Sequence, residues 1–141
     1  MRILGLDVGI KRIGIAISDE LGWTAQGIKT LHRHNGERDV REIRDIVREY
    51  EVEKIVVGLP RNMNGSLGPQ AEMALGFVQE LSEILGVPII TWDERLSTVE
   101  ATRLFIKADL SRKKRKGKVD MTAAILILQS YLDSLARKGN P

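Results

Sequence analysis

The chain opens on two short runs in which apolar residues alternate. Leu4, Leu6 and Val8 fall on one side of the first run, and Ile3, Gly5 and Asp7 on the other. Ile13, Ile15 and Ile17 repeat the pattern, with Gly14, Ala16 and Ser18 between them. A period of two reads as β-strand. The turn Gly9-Ile10-Lys11 joins the runs into a hairpin whose first strand carries a carboxylate, Asp7, near its end. A carboxylate inside an apolar strand is costly unless it is paired, hydrogen-bonded or bound to a metal.

Beyond the hairpin the period changes more than once. Gly22-Trp23 marks a turn, and Ala25 to Leu31 predicts a third strand with His32 and His34 at its end. Their i, i+2 spacing would allow two imidazoles on one face for a metal; an exposed strand end is the simpler reading. Asn35-Gly36 starts a helix in which Val40, Ile43, Val47 and Tyr50 recur at helical spacing. Lys54 to Gly58 is a continuous apolar strand, ended by Pro60. The loop from Arg61 to Gly65 leads to Ser66, an expected N-cap for a second amphipathic helix. Leu67, Ala71, Leu75, Val78, Leu81 and Leu85 are its expected apolar stripe, and Gly86 closes it.

Val87-Pro88 opens a further strand, Ile89 to Trp92, with Asp93-Glu94-Arg95 at its C-terminal end. Ser97 or Thr98 then starts a helix running to about Lys107. Ser111 to Lys118 contains no apolar residue and reads as a loop, and from Val119 the chain becomes almost wholly apolar, predicting a largely buried last helix. Residues 1–137 are expected to form one domain, and 138–141 a frayed tail. Strands alternating with helices give right-handed crossovers and parallel neighbours. With the antiparallel hairpin at one edge, the expectation is α/β: a mixed five-stranded sheet with helices on both faces.

Composition narrows the chemistry. A chain of 141 residues suits one domain, burying roughly 68% of the surface its unfolded form exposes. With no cysteine there is no disulfide, thiol nucleophile or zinc–thiolate site. No run resembles a signal peptide or is long enough to cross a membrane, so a cytoplasmic setting is expected. The net charge of +3 says little about partners. The concentration of base in Arg112, Lys113, Lys114, Arg115, Lys116 and Lys118 says more.

Sites in open α/β sheets form outside the carboxyl ends of the parallel strands. Asp7, the pair Asp93 and Glu94, and the loop from Pro60 to Ser66 converge there, and Asp120, the first acid of the last helix, could join them. Several carboxylates in one cleft repel one another and need a counter-charge. Mg²⁺ or Mn²⁺ suits an oxygen-only site. Two such ions about 3.5–4 Å apart activate water and stabilise the leaving oxygen of a phosphodiester. The basic run would then hold phosphates by backbone contact, having no aromatic residues with which to read bases. Each element also has a plainer use. Asp7 could accept from the Gly9 and Ile10 amides, Asp120 could cap its helix, Asp93 or Glu94 could pair with Arg95, and the basic run could be a solvated loop.

The hairpin LGLDVGIKRIGIAISD resembles the opening strands of the ribonuclease H-like superfamily. With VVGLPRNMNGSLGPQA, DERLSTVEA and KVDMTAAILILQSYLD, the pattern is similar to the YqgF/RuvX family of Holliday junction resolvases. That resemblance implies a ribonuclease H-like fold and metal-dependent phosphodiester cleavage. Asp7, Glu94 and Asp120 would be the metal-binding catalytic carboxylates, with Asp93 a further neighbour. By position and charge alone, Lys11, Arg61 and Arg95 would be phosphate contacts, and the Asn62–Ser66 segment, with Asn64 at its centre, would approach a phosphate through the following helix N-terminus, unless Gly65 and Ser66 merely make a turn and cap, the simpler reading. The implied substrates are branched DNA or the 5′ end of pre-16S rRNA, and the carboxylates do not separate them. Symmetric cutting of a four-way junction needs two sites, hence a homodimer; trimming of RNA permits a monomer.

Two other classes remain open from the sequence. Asp-Val-Gly followed by Gly-Ile-Ala is similar to the first phosphate motif of actin-like ATPases, although those close two such domains on a nucleotide. A non-catalytic nucleic-acid-binding module in rRNA maturation is the other, but clustered anions would serve such a module poorly.

Overall fold

The computed structural model describes residues 1–96 and 116–138, with side chains from residue 121 onward in the second segment. Five strands form one sheet: β1 (Arg2–Val8), β2 (Arg12–Ser18), β3 (Ala25–His32), β4 (Val52–Leu59) and β5 (Ile89–Asp93). Their order is β3-β2-β1-β4-β5, which puts the Asp7 strand in the middle. β1 pairs antiparallel with β2, and β2 with β3, while β4 runs parallel to both β1 and β5. The hairpin is therefore the antiparallel half of a mixed sheet, as its alternation predicts.

Two helices cover one face. Helix α1 (Gly36–Glu49) begins at Asn35, whose side chain accepts from the Arg38 N–H and so satisfies one otherwise unpaired donor of the first turn. It buries Val40, Ile43 and Val47 as its spacing predicts. Helix α2 (Pro69–Ile84) starts later than expected: its N-cap is Gly68, not Ser66, and Pro69 supplies the preset first turn. Ser66 is engaged inside the preceding loop, where its hydroxyl donates to Asn64 and accepts from Asn62. The buried stripe of α2 is Ala71, Ala74, Phe77 and Leu81. Leu75 and Val78 lie at its flank and Leu67 is exposed before the helix begins, so the expected stripe was displaced.

The other face carries helix α3 (Lys116–Arg137), which crosses β3, β2, β1 and β4. It begins three residues before Val119, so Lys116 and Lys118 belong to helix backbone rather than to a loop. Lysine is a good helix former, and the apolar pattern alone misses such a first turn. The expected helix from Ser97 to Lys107 and the residues Arg112, Lys113, Lys114 and Arg115 lie outside the described residues.

The core splits across the sheet. Leu4, Leu6, Val8, Ile13, Ile15 and Ile17 pack toward α1 and α2. Ile3, Ala16 and Val56 pack toward Ala123, Ala124, Ile127 and Leu128 of α3. Strand alternation makes this division automatic, because successive residues point to opposite faces. Polar contacts then fix where α3 sits. Lys54 Nζ donates to Tyr131 Oη at 3.0 Å, Trp92 Nε1 donates to Ser130 Oγ at 3.0 Å, and the Ala25 N–H donates to Gln129 Oε1 at 3.0 Å.

A candidate active site at the end of the central strand

The α3 side of the sheet is built from small residues at its centre. A Cβ on Gly5 would stand 2.8 Å from Leu128 Cβ and 3.3 Å from the Ala124 carbonyl. Glycine there lets the helix approach the strands closely. Ile127 packs against Gly58 in the same way. Tyr131 meets Lys54 near the start of β4, and Ile127 meets Gly58 near its end. The N-terminal half of α3 therefore points toward the end of the sheet where β1, β4 and β5 finish.

Asp7 is on this face, one step beyond the Leu6↔Val57 pairing and opposite Gly14 of β2. It is half-buried on the central strand. Continuing that register one residue puts Asp7 beside Gly58, about 5 Å away at strand spacing. The position of the absent Gly58 Cβ lies 3.1 Å from Glu94 Oε1. Glu94 thus lays its carboxylate over Gly58, next to Asp7, and is only 4% exposed. It opens the one-turn 3₁₀ helix Glu94–Leu96 that follows β5. The space a side chain on Gly58 would need is taken first by Ile127 Cδ1 and then by Glu94 Oε1.

The Gly9 N–H donates to the Arg12 carbonyl at 2.8 Å. That amide closes the turn. The turn is held from behind by a pair the sequence pattern did not reveal. Asp39 is buried and accepts from Arg33 Nε at 3.3 Å and from the His34 N–H at 3.0 Å. Arg33 Nη1 donates to the Gly9 carbonyl at 3.1 Å, and its guanidinium lies over the Phe77 ring. Exposed Lys11 is carried on this braced turn, close to Asp7 in the chain. His32 and His34 are both exposed.

Asp93 is the last residue of β5 rather than the first beyond it. Its side chain points to a different set of partners from that of Glu94. Arg95 Nε lies 3.1 Å from both carboxylate oxygens, Arg95 Nη2 lies 2.7 Å from Oδ2, and the Arg95 N–H donates to Oδ1 at 2.9 Å. Arg61 Nε stands 3.7 Å from Oδ2. The donated hydrogen bonds of the Arg95 side chain, then its backbone N–H and the two positive charges, hold the Asp93 carboxyl below its ordinary range and outweigh the opposing effect of burial. The same contact raises the pKa of Arg95.

Among the described residues, no group of three acidic or histidine side chains is gathered tightly enough to hold a metal. Asp120 lies in the helix backbone one turn before Ala124, and its side chain is outside the described residues, as are those of Lys116 and Lys118. The donor set present suits a hard cation all the same. Asp7 and Glu94 offer only oxygen, and Glu94 is buried. No helix among the described residues is long and apolar enough to cross a membrane.

A family model described as RuvX, Holliday junction resolvase, matches residues 1–134. A Clostridium tetani protein named "Putative pre-16S rRNA nuclease" is 60% identical over 138 residues, spanning 98% of this chain and 100% of that protein. A Moorella thermoacetica protein of the same name is 55% identical over 139 residues, spanning 99% of each. Among solved structures, Thermus thermophilus RuvC in complex with a Holliday junction substrate aligns with a TM-score of 0.63 at 18% identity, over 99% of this chain and 97% of that one. Fowlpox virus resolvase with its substrate Holliday junction DNA aligns with a TM-score of 0.56 at 17% identity, over 96% and 99%. The two structures share the ribonuclease H-like fold that the hairpin and the strand order imply.

Proposed function

Because the chain belongs to the RuvX family of Holliday junction resolvases, we propose that it is a metal-dependent nuclease hydrolysing phosphodiester bonds in structured nucleic acid. The observation that carries this reading is the buried Glu94 carboxylate lying over Gly58, beside Asp7 on the central strand. Two acids at the same carboxyl end of a sheet favour a counter-charge beside them. In this reading Asp7, Glu94 and Asp120 hold Mg²⁺ or Mn²⁺, which would activate a water and stabilise the leaving oxygen.

The chain's own groups do the rest. Strand β1 fixes Asp7, and the 3₁₀ turn fixes Glu94, so little reorganisation is needed when substrate arrives. In this reading Lys11 on the braced turn, and Arg61, Asn64 and Arg95 around the loop after β4, would meet backbone phosphates. The basic residues between Arg112 and Lys118 extend that contact along the polymer. The substrate named for relatives at 55–60% identity supports 5′-end processing of pre-16S rRNA, in the cytoplasm, as the primary role. Resolution of a four-way junction is the second reading, supported by the family description, and it requires a homodimer.

The test is cleavage of a pre-16S fragment and of a synthetic four-way junction, side by side, with Mg²⁺ or Mn²⁺ and with chelator. Metal-dependent cutting of the RNA is expected. Cutting of the junction alone, by a protein that sediments as a dimer, selects the second reading. Binding without cutting of either polymer makes the chain a non-catalytic module. Tight magnesium-dependent ATP binding without cleavage favours the actin-like class instead.

A further inference from the structure

The loop between β4 and α2 is small, closed and tied down at both ends. Arg61 pairs with Leu67 as an isolated β-bridge, the Asn62 N–H donates to the Ser66 carbonyl at 2.9 Å, and the Gly65 N–H donates to the Asn62 carbonyl at 2.8 Å. Gly65 has φ +89°, a left-handed conformation that other residues adopt only with strain. At its tip, Met63 is 92% exposed. The two arginines that reach Asp93 also reach this loop. Arg61 Nη1 donates to the Gly65 carbonyl at 2.9 Å, and Arg95 Nη1 to the Met63 carbonyl at 3.4 Å.

Each guanidinium therefore bridges the same carboxylate to a different carbonyl of the same loop. Two guanidiniums drawn to one place repel each other unless an anion stands between them. Asp93 is that anion, and the three charges sum to one positive charge, which still attracts phosphate. With Arg95 across both oxygens, Asp93 has no carboxylate face left for a cation unless that fork opens.

We propose that Asp93 is a positioning residue, whose carboxylate gathers Arg61 and Arg95 into a clamp that fixes the 62–66 loop beside the acidic end of the sheet. The loop and both guanidiniums then meet the nucleic-acid backbone as one preformed surface. Preorganisation of this kind lowers the cost of ordering charged side chains on binding. The inference rests on the nuclease reading only for its ligand, a polynucleotide backbone. It assigns Asp93 to substrate binding and leaves the metal to Asp7, Glu94 and Asp120.

The experiment uses the full chain with Asp93→Asn, which keeps side-chain shape and removes the charge, and with Arg95→Lys, which keeps charge and removes the fork. Thermal melts establish that both variants are folded. Amide exchange at Asn62, Gly65 and Ser66 reads the loop directly, whether or not the protein cuts anything. For both variants, exchange at these amides and KM for the cleaved polymer are expected to rise about tenfold, the size of one lost charge-assisted hydrogen bond. For Asp93→Asn, kcat and the Mg²⁺ concentration at half-maximal rate stay within about threefold of wild type, the signature of lost binding rather than lost chemistry. Unchanged loop exchange in both folded variants overturns the clamp. A fall in kcat with a raised Mg²⁺ requirement in Asp93→Asn overturns it in favour of a metal-ligand role. If the wild type cuts neither polymer, the nuclease reading fails separately, and loop exchange still decides the clamp.

Discussion

The two faces of the sheet are made by alternate residues of the same strands, yet they differ in size and chemistry. Toward α1 and α2, β1 and β2 present Leu4, Leu6, Val8, Ile13, Ile15 and Ile17, all buried. Toward α3, the same two strands present Ile3, Gly5, Asp7, Gly14, Ala16 and Ser18. Large aliphatic side chains on the first face fill the space beneath two helices. Small residues on the second let one helix lie close to the strands and leave room for acids at the end of the sheet. The first face is a store of hydrophobic stability. The second gives up apolar area to place polar groups, and a ledge of glycine, Gly5 and Gly58, makes that placement geometrically possible. Stability and chemistry are thus divided between the faces by nothing more than the pleat of a strand.

Substitutions should respect that division. The largest effect is expected at Glu94, which is buried. Glu94→Gln should leave the melting temperature unchanged or higher while single-turnover cleavage falls about a thousandfold, the equivalent of several kcal/mol of lost metal-site stabilisation. The opposite face should behave in reverse. Leu81 on α2 is fully buried, so Leu81→Ala should cost about 2–5 kcal/mol in denaturant unfolding, with cleavage per folded molecule unchanged. A smaller effect should link stability to chemistry at the ledge. Gly5→Ala puts a methyl group 2.8 Å from Leu128 Cβ, forcing α3 outward at about 1–3 kcal/mol. Cleavage should fall with it, because α3 carries Asp120. A Gly5→Ala protein that loses stability but no activity would separate α3 from the site.

Much of this division is legible in the sequence because period two is a strong signal. Alternation alone sorts Asp7 away from Leu6 and Val8, and an acid within an apolar strand asks for a partner. Helix α2 was less legible. Its sequence offers more large apolar residues than one face can hold, and packing against β4 and α1 selects Ala74 and Phe77 over Leu75 and Val78. Asp93 and Glu94 could not be told apart by spacing. Only the strand end followed by a 3₁₀ turn sends Glu94 inward and leaves Asp93 to Arg95 and Arg61. The Arg33–Asp39 brace was invisible for a related reason. Both residues sit among many charges, and only burial of Asp39 distinguishes this pair from a solvated surface contact.

The most direct measurement is the rate of Mg²⁺- or Mn²⁺-dependent cleavage by Asp7→Asn against wild type, on whichever polymer the wild type cuts. Asn keeps the shape of the side chain on the central strand and removes its charge. A metal-dependent nuclease centred on Asp7 and Glu94 predicts a folded variant that still binds the polymer and cuts it about a thousandfold more slowly or not at all. Cleavage by Asp7→Asn at the wild-type rate would contradict it.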